Sequence, residues 1–180
     1  MEIITILYLI FIFASLYFSF LFLVLFFKNR QDLFKEEKPT KKLPFLSILI
    51  PAYNEENAIR ETINAVSNVD YPKELMEIIV IDDGSKDNTL NILKKFKDIK
   101  ILAKQNSGKA DSLNQALKIA KGELITVIDA DSNPEPDAFM KMVSYFKDIK
   151  VAAVTSSILV KNKTKLLERL QAIEYTIIAW

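Results

Sequence analysis

Residues 77–93 read EIIVIDDGSKDNTLNIL, and the order of chemistries in that stretch decides the fold. Ile78, Ile79, Val80 and Ile81 form an unbroken apolar run of strand length, the pattern of a strand buried on both faces. Asp82-Asp83-Gly84-Ser85 breaks the run with turn-forming residues. From Thr89 to Lys97, Leu90, Leu93 and Phe96 recur at helical spacing. A buried strand that passes through an acidic turn into a one-sided helix is the repeating unit of a parallel α/β sheet.

The same alternation extends in both directions. Upstream, Leu46–Ile50 is a short apolar run closed by Pro51, and Ile59, Ile63 and Val66 set a helix over Glu56–Val66. Downstream, Ile99–Ala103 reads as a strand and Ala110–Lys121 as a helix carrying Leu113, Ala116, Leu117 and Ala120, with Gly122 suited to its C-cap. Leu124–Ile128 is a further strand, Pro136–Lys147 a helix with Phe139, Val143 and Phe146 inward, and Val151–Thr155 a fifth strand. Lys165–Trp180 reads as an amphipathic helix with Leu166, Leu170, Ile173 and Ile177 in register. The expected architecture is a mostly parallel sheet with helices over both faces. Such sheets bind ligands beyond the C-terminal ends of their strands.

The amino terminus belongs to another class. Ile3–Phe27 holds no charged residue, and at 1.5 Å per residue those 25 positions reach roughly 37 Å, enough to cross a hydrocarbon core. There is no basic leader and no small-x-small cleavage site before Lys28, so the segment reads as a transmembrane helix over residues 1–27 rather than a signal peptide. Lys28 and Arg30 follow at once, which places the remainder on the cytoplasmic side of a single-pass protein, with the plasma membrane as the expected location. Residues 28–43 read as a juxtamembrane linker with six Lys/Arg against three acids, a solvated spacer or a contact for membrane lipids. Residues 44–180 form the remaining domain.

Composition removes several chemistries. The 180 residues include 24 Lys+Arg and 23 Asp+Glu, a net charge of +1 that gives no electrostatic footprint for nucleic acid. With no Cys there is no disulfide framework or thiol nucleophile, and with no His the usual general base and transition-metal ligand are missing. Acid–base and metal chemistry fall to Asp, Glu, Lys, Tyr and the backbone.

Four strand ends carry the candidates. They are Pro51-Ala52-Tyr53-Asn54-Glu55-Glu56, Asp82-Asp83-Gly84-Ser85-Lys86-Asp87-Asn88, Gln105-Asn106-Ser107-Gly108-Lys109-Ala110-Asp111 and Asp129-Ala130-Asp131. Singly each has a plain reading: Asn54, Asp87 or Asn88 as helix caps, Asp82–Ser85 as a turn, Ser107–Lys109 as a loop entering a helix. Together they bring carboxylates and a lysine to one crevice. Gathering Asp82, Asp83, Asp129 and Asp131 costs repulsion unless a cation is present. Oxygen ligands without His or Cys suit Mg²⁺ or Mn²⁺ rather than zinc, and such ions are commonly held by one or two carboxylates plus substrate phosphates. Lys109, beside Gly108 at a helix start, suits a phosphate.

In these residues the chain resembles glycosyltransferase family 2, the nucleotide-diphospho-sugar transferases of GT-A fold. The likeness runs from about Leu46 to Val154 and rests on Ile50–Glu56, Val80–Asp87, Gly108-Lys109-Ala110-Asp111-Ser112-Leu113-Asn114 and Asp129-Ala130-Asp131, in that order. The Gly-Lys-Ala-x-x-Leu-Asn form and the amino-terminal membrane helix look most like the processive synthases of poly-N-acetylglucosamine, hyaluronan, chitin and cellulose. The resemblance implies a GT-A (Rossmann-like) fold, here incomplete and preceded by one transmembrane helix. It implies an inverting transfer from a nucleotide-diphospho-sugar, UDP-linked above all, to a saccharide or lipid acceptor. By position it also implies roles. Pro51, Ala52, Tyr53 and Glu55 would line the nucleoside pocket, and Asp82 or Asp83 would bond the base. Lys109 would lie near the diphosphate or ribose, Asp129 would contact the donor, and Asp131, with Asp129, would hold Mg²⁺ or Mn²⁺.

The pattern is incomplete against that family. The expected general base is a later Asp, but Asp137 and Asp148 follow too closely, while Glu168 and Glu174 lie on the last helix without the motif. No Gln-x-x-Arg-Trp motif and no further membrane helices are present. The expectation is a donor-binding half that lacks its general base and transfers little or no sugar alone. Two rivals stand beside it: a phosphatase using Asp129-Ala130-Asp131, and a non-catalytic membrane-anchored nucleotide-sugar-binding remnant or scaffold. The phosphatase reading would place the motif on the first strand rather than the fourth.

Overall fold

In the computed structural model, the described residues are 2–33, 42–161 and 163–178. The chain divides into two compact units, Met1–Glu37 and Lys38–Trp180. In the first, helix α1 spans Glu2–Leu33. Its Ile3–Arg30 stretch has a mean hydropathy of 2.7 and is long and apolar enough to cross a membrane. Ile3, Phe11, Phe13 and Phe18 are all exposed, so the segment is apolar on every face rather than on a core-facing stripe. The helix continues through Lys28, Asn29 and Arg30 to Leu33, the first part of the predicted linker, and the Arg30 guanidinium lies 5.7 Å from the Phe27 ring centroid. Residues 34–41 of that linker lie outside the described residues.

The second unit is built on strands β1 (Leu46–Ala52), β2 (Met76–Asp82), β3 (Lys100–Ala103) and β4 (Leu124–Val127), all parallel in the order β3-β2-β1-β4. Helices α2 (Ile59–Ser67), α3 (Thr89–Leu93), α4 (Lys109–Leu117), α5 (Ala138–Ser144) and α6 (Leu166–Ile178) complete it. The two-residue period of a strand divides the core. Ile48, Ile50, Ile78 and Val80 face one way and pack with Ile59, Ile63 and Val66 of α2, Ile92 and Leu93 of α3, and Phe139 and Val143 of α5. Leu49, Ile79 and Ile81 face the other way, onto Ala116 and Leu113 of α4. Burying each of these branched side chains contributes about 1.5–3 kcal/mol, which is why the apolar runs of β1 and β2 fix the centre of the sheet. Pro51 is tolerated because the β1–β4 ladder ends at Leu49, leaving β1 unpaired on that side where Pro lacks its N–H.

Several expectations are corrected. Val151–Thr155, predicted as a fifth strand, forms no ladder; apolar β-branched residues make a strand only against a neighbouring backbone. The second face is covered over β1, β2 and Leu102 of β3, where Leu49, Ile79 and Ile81 meet α4, while Ile125 and Val127 of β4 stay exposed. Leu166, Leu170 and Ile173 of α6 are exposed rather than packed in the core. The side chain of Ile177, and Trp180 altogether, fall outside the described residues. Gly122 is not a helix cap: α4 stops at Leu117, and the Gly122 N–H donates to Ser47 Oγ at 2.8 Å. A Cβ there would meet the Leu124 carbonyl oxygen and the Ser47 nitrogen at 2.5 Å.

At the N-terminal edge of the sheet, far along the strands from their C-terminal loops, Glu77 gathers donors. Ser47 Oγ and the Lys121 N–H donate to its Oε1 at 2.5 and 2.6 Å, and Lys100 Nζ to its Oε2 at 2.5 Å. Burial alone would raise its carboxyl, but Lys100, Ser47 and Lys121 outweigh that and hold it below its ordinary value. This cluster ties β1, β2, β3 and the α4–β4 loop together and leaves the opposite strand ends to carry chemistry.

Candidate functional site

The loops after β1 and β2 are stitched into one surface by side chains. Asn54, with φ of +58°, receives the Lys86 N–H on its Oδ1 at 2.8 Å, and its own N–H donates to Ser85 Oγ at 3.0 Å. The Glu55 N–H donates to Thr89 Oγ1 at 2.8 Å, and the Glu56 N–H to Asp87 Oδ2 at 3.1 Å. Glu56 Oε2 accepts from the Asn88 N–H at 2.9 Å, and Asp87 Oδ1 from the Thr89 N–H at 3.0 Å. Asn54 and Asn88 make no side-chain cap on α2 or α3, contrary to their plain reading; Asn54 serves the neighbouring loop. Asp87 accepts from Thr89, the first residue of α3, and from Glu56 across the gap.

Asp82 and Asp83 end β2 with different partners. Asp83 is buried, with Oδ1 accepting from Lys104 Nζ and from the Ser107 N–H at 3.0 Å, and Oδ2 accepting from the Gly108 N–H at 2.9 Å. Burial pushes the Asp83 carboxyl up, and those three donors bring it net below its ordinary value. Lys104 also bonds Ser107 Oγ and lies 3.3 Å from Asp111. Asp82 is 2% exposed, and its buried Oδ1 has no hydrogen-bond donor. A buried acceptor without a donor marks where a ligand or water hydrogen belongs. The β2 and β3 loops also touch directly. Gly84, at φ of +72°, lies so near that a Cβ would be 2.8 Å from the Asn106 nitrogen.

The third and fourth loops meet in an ion pair. Lys109, the first residue of α4, follows Gly108 at φ of +92°, and its Nζ bonds Asp129 Oδ1. Both side chains are more than half exposed. Between Asp129 and Asp131, Ala130 is buried, and its carbonyl accepts from the buried Thr62 hydroxyl of α2 at 2.7 Å. Tying the middle residue inward leaves both flanking aspartates facing out, and Asp131 is exposed. Glu55 belongs to the same crevice: burial first, then the charges of Asp131, Asp87 and Asp129, hold its carboxyl above its ordinary value.

Of the sequence candidates, the structure therefore joins Lys109 to Asp129 directly and couples Glu55 to Asp129 and Asp131 by charge. Asp83 reaches Lys109 through the backbone of Gly108. Tyr53 is 43% exposed beside this group, Pro51 is half-buried, and Ala52 is buried in the core with its carbonyl accepting the Asp83 N–H at 2.9 Å. Asp82 bonds none of the others through its Oδ1. The four aspartates do not share one unbalanced charge: Lys104, which the strand-end reading passed over by starting at Gln105, neutralises Asp83. Thr62 was missed too, and no local motif signals it, since its partner lies 68 residues away.

Among the described residues no group of three or more carboxylates is gathered closely enough to hold a metal by itself. The residues still fit a hard divalent cation. Asp129, Asp131 and Glu55 offer oxygen only, and the charges of Asp131 and Asp129 add to the burial that chiefly raises the Glu55 carboxyl.

The profile of Glycosyl transferase family 2 matches residues 47–178. The chain belongs to that family. Poly-beta-1,6-N-acetyl-D-glucosamine synthase of Staphylococcus epidermidis is 38% identical over 152 residues, covering 82% of this chain and 36% of the relative. The Staphylococcus aureus synthase of the same description is 35% identical over 167 residues, covering 90% and 39%. The chain thus spans well under half the length of these relatives. Among solved structures of the GT-A fold, the mannosyltransferase PcManGT of Pyrobaculum calidifontis, in complex with GDP-Man and Mn²⁺, aligns with a TM-score of 0.60 at 28% identity. That alignment covers 70% of this chain and 40% of the other. S. aureus TarS residues 1–349 in complex with UDP-GlcNAc align with a TM-score of 0.53 at 28% identity, covering 65% and 38%. The parallel sheet and its acidic strand-end loops are thus the family 2 glycosyltransferase fold, present in part.

Proposed function

We propose that this chain carries the donor site of a membrane-anchored, inverting glycosyltransferase of polysaccharide biosynthesis, which takes a sugar from a UDP-sugar and passes it to a saccharide or lipid acceptor. One observation carries the reading: the loops after all four strands meet in one crevice. There, Lys109 at a helix start pairs with Asp129, whose charge acts with that of Asp131 on Glu55. A nucleoside diphosphate offers a base, a ribose and anionic oxygens, and this crevice has a partner type for each.

In this reading Tyr53, Pro51 and Ala52 flank the base, and Asp82 or Asp83 bonds it; the unspent acceptor there is Asp82 Oδ1. Lys109 meets the diphosphate, and Asp131 with Asp129 holds Mg²⁺ or Mn²⁺. The cation would neutralise charge on the departing diphosphate. Thr62 and Ala130 keep the two aspartates turned outward, and Asp83 with Lys104 keeps the Gly108 turn, and so Lys109, in place. The acceptor's proton needs a general base, and none is assigned in this chain. Glu168 is spent on the start of α6, accepting from the Thr164 and Lys165 N–H groups at 2.8 and 2.9 Å, and Asp137 pairs with Lys141 at 2.9 Å. UDP-GlcNAc on TarS supports a UDP-sugar, the description of the staphylococcal synthases supports polysaccharide synthesis, and Mn²⁺ on PcManGT supports the metal. Residues 1–27 would anchor the chain, with Lys28 and Arg30 on the cytoplasmic side.

The test is calorimetric titration of the full detergent-solubilised chain with UDP, GDP, CDP and dTDP, with and without Mn²⁺. The expected result is Mn²⁺-dependent UDP binding that Asp131→Asn abolishes. Absence of nucleotide binding by folded chain would overturn the proposal.

A further inference from the structure

Lys109 is bonded to a carboxylate that the donor-site reading gives to a metal. Its Nζ sits on Asp129 Oδ1, with the two side chains 58% and 57% exposed. Among the described residues, both ends of this pair are held by other contacts. α4 is anchored by Ala116 and Leu113 in the core and by the Gly108 N–H on Asp83. The Asp129–Asp131 loop is anchored by Thr62 on Ala130. The pair is instead the local balance of charge, because Asp129 belongs, with Asp131 and Asp87, to the acids whose charge acts on Glu55. Lys104 cannot take its place: its side chain is 9% exposed and committed to Asp83, Ser107 and Asp111.

We propose that Lys109 is the resident counter-ion of the metal site, holding Asp129 until a divalent cation and a nucleoside diphosphate arrive together and then exchanging Asp129 for the phosphate oxygens. This deepens the donor-site reading and rests on it. A divalent cation alone must displace the ammonium and so binds weakly. When a diphosphate is present, the ammonium gains a new anionic partner, and the cation gains both Asp129 and phosphate oxygen. Metal and nucleotide therefore bind with positive coupling, and the coupling is the same from either side. The bare cation is kept out of a site that has no leaving group to neutralise.

The experiment follows Mn²⁺ alone, by the paramagnetic resonance signal of the free ion, as it is titrated into the full chain with and without UDP. Wild type is compared with Lys109→Met, Lys109→Gln and Lys109→Arg, each checked for folding by circular dichroism. Two unit charges about 4 Å apart in water interact by about 1 kcal/mol, so removing the ammonium is expected to tighten binding of Mn²⁺ alone by about fivefold. Lys109→Arg keeps the charge and so does not tighten binding of Mn²⁺ alone, and the strengthening of Mn²⁺ binding by UDP shrinks in Lys109→Met and Lys109→Gln. Loss of a merely structural residue would weaken Mn²⁺ binding, the opposite sign. Unchanged or weaker binding of Mn²⁺ alone in both neutral variants overturns the counter-ion role, while UDP-dependent Mn²⁺ binding by wild type, lost in Asp131→Asn, keeps the donor site. If wild type itself shows no such binding, the donor-site reading falls with it.

Discussion

Two lysine–aspartate pairs border the same crevice and are built on opposite principles. Lys104–Asp83 is enclosed, with side chains 9% and 6% exposed, and Asp83 also accepts two backbone N–H groups. Lys109–Asp129 lies open, with both side chains more than half exposed. A buried charge has lost its water and must be bonded on all sides, so the first pair holds loops in place. An exposed pair is held by little more than its partner's charge and exchanges readily with solvent or ligand. One side of the crevice is therefore fixed structure, and the other is a replaceable set of charges, which a site for an arriving metal and diphosphate requires.

Removing one member of each pair should separate them most clearly. Asp83→Ala leaves a lysine and two N–H groups without their acceptor and is expected to cost about 3 kcal/mol, whereas Asp129→Ala should cost under about 1 kcal/mol, both read from urea unfolding followed by circular dichroism. Equal losses would erase the distinction. The two glycines beside the pairs come next. Gly84→Ala meets the Asn106 backbone as well as an unfavourable φ of +72°, and should cost about 2–3 kcal/mol. Gly108→Ala has open space around the new methyl, but its φ of +92° and ψ of 162° belong to a region almost closed to other residues, and it should cost about 2 kcal/mol in the same assay.

Smaller effects sharpen the open side. Thr62→Val removes the donor to the Ala130 carbonyl and should cost about 1 kcal/mol. It should also weaken Mn²⁺-dependent UDP binding, since Ala130 orients Asp129 and Asp131; unchanged UDP affinity would separate the hydrogen bond from the site. The smallest effect is in acid. The folded Asp83 carboxyl lies below its ordinary value of 3.8. The stability it contributes is present above that value and is lost as pH falls through the depressed folded value. Asp83→Asn should therefore lose less stability than wild type as pH falls below about 4, and parallel acid profiles would contradict the assignment.

What the sequence made legible follows the same division. β1 and β2 were readable because Leu46–Ile50 and Ile78–Ile81 are buried on both faces, so burial alone wrote their pattern. Helix starts were less readable. α2 begins at Ile59 rather than Glu56, after a turn in which the Ala58 and Ile59 N–H groups both donate to the Glu55 carbonyl, at 3.1 and 3.0 Å. α3 ends at Leu93, since Lys95 and Phe96 bond as tighter turns to Ile92 and Leu93. The strand-end rule located the candidates, but it could not rank Asp82 against Asp83, because the difference lies in donors that arrive from residues 104, 107 and 108. Val151–Thr155 misled because β-branched composition describes a fit to a sheet and not the presence of a neighbouring strand.

The most direct test of the account is to locate the metal. Crystals of the chain with UDP and Mn²⁺, measured at the manganese absorption edge, should show an anomalous peak within coordination distance of Asp131 and Asp129, about 2–2.5 Å, with Lys109 moved from Asp129 to a phosphate oxygen. UDP bound elsewhere, or a manganese peak away from both aspartates, would contradict the central claim.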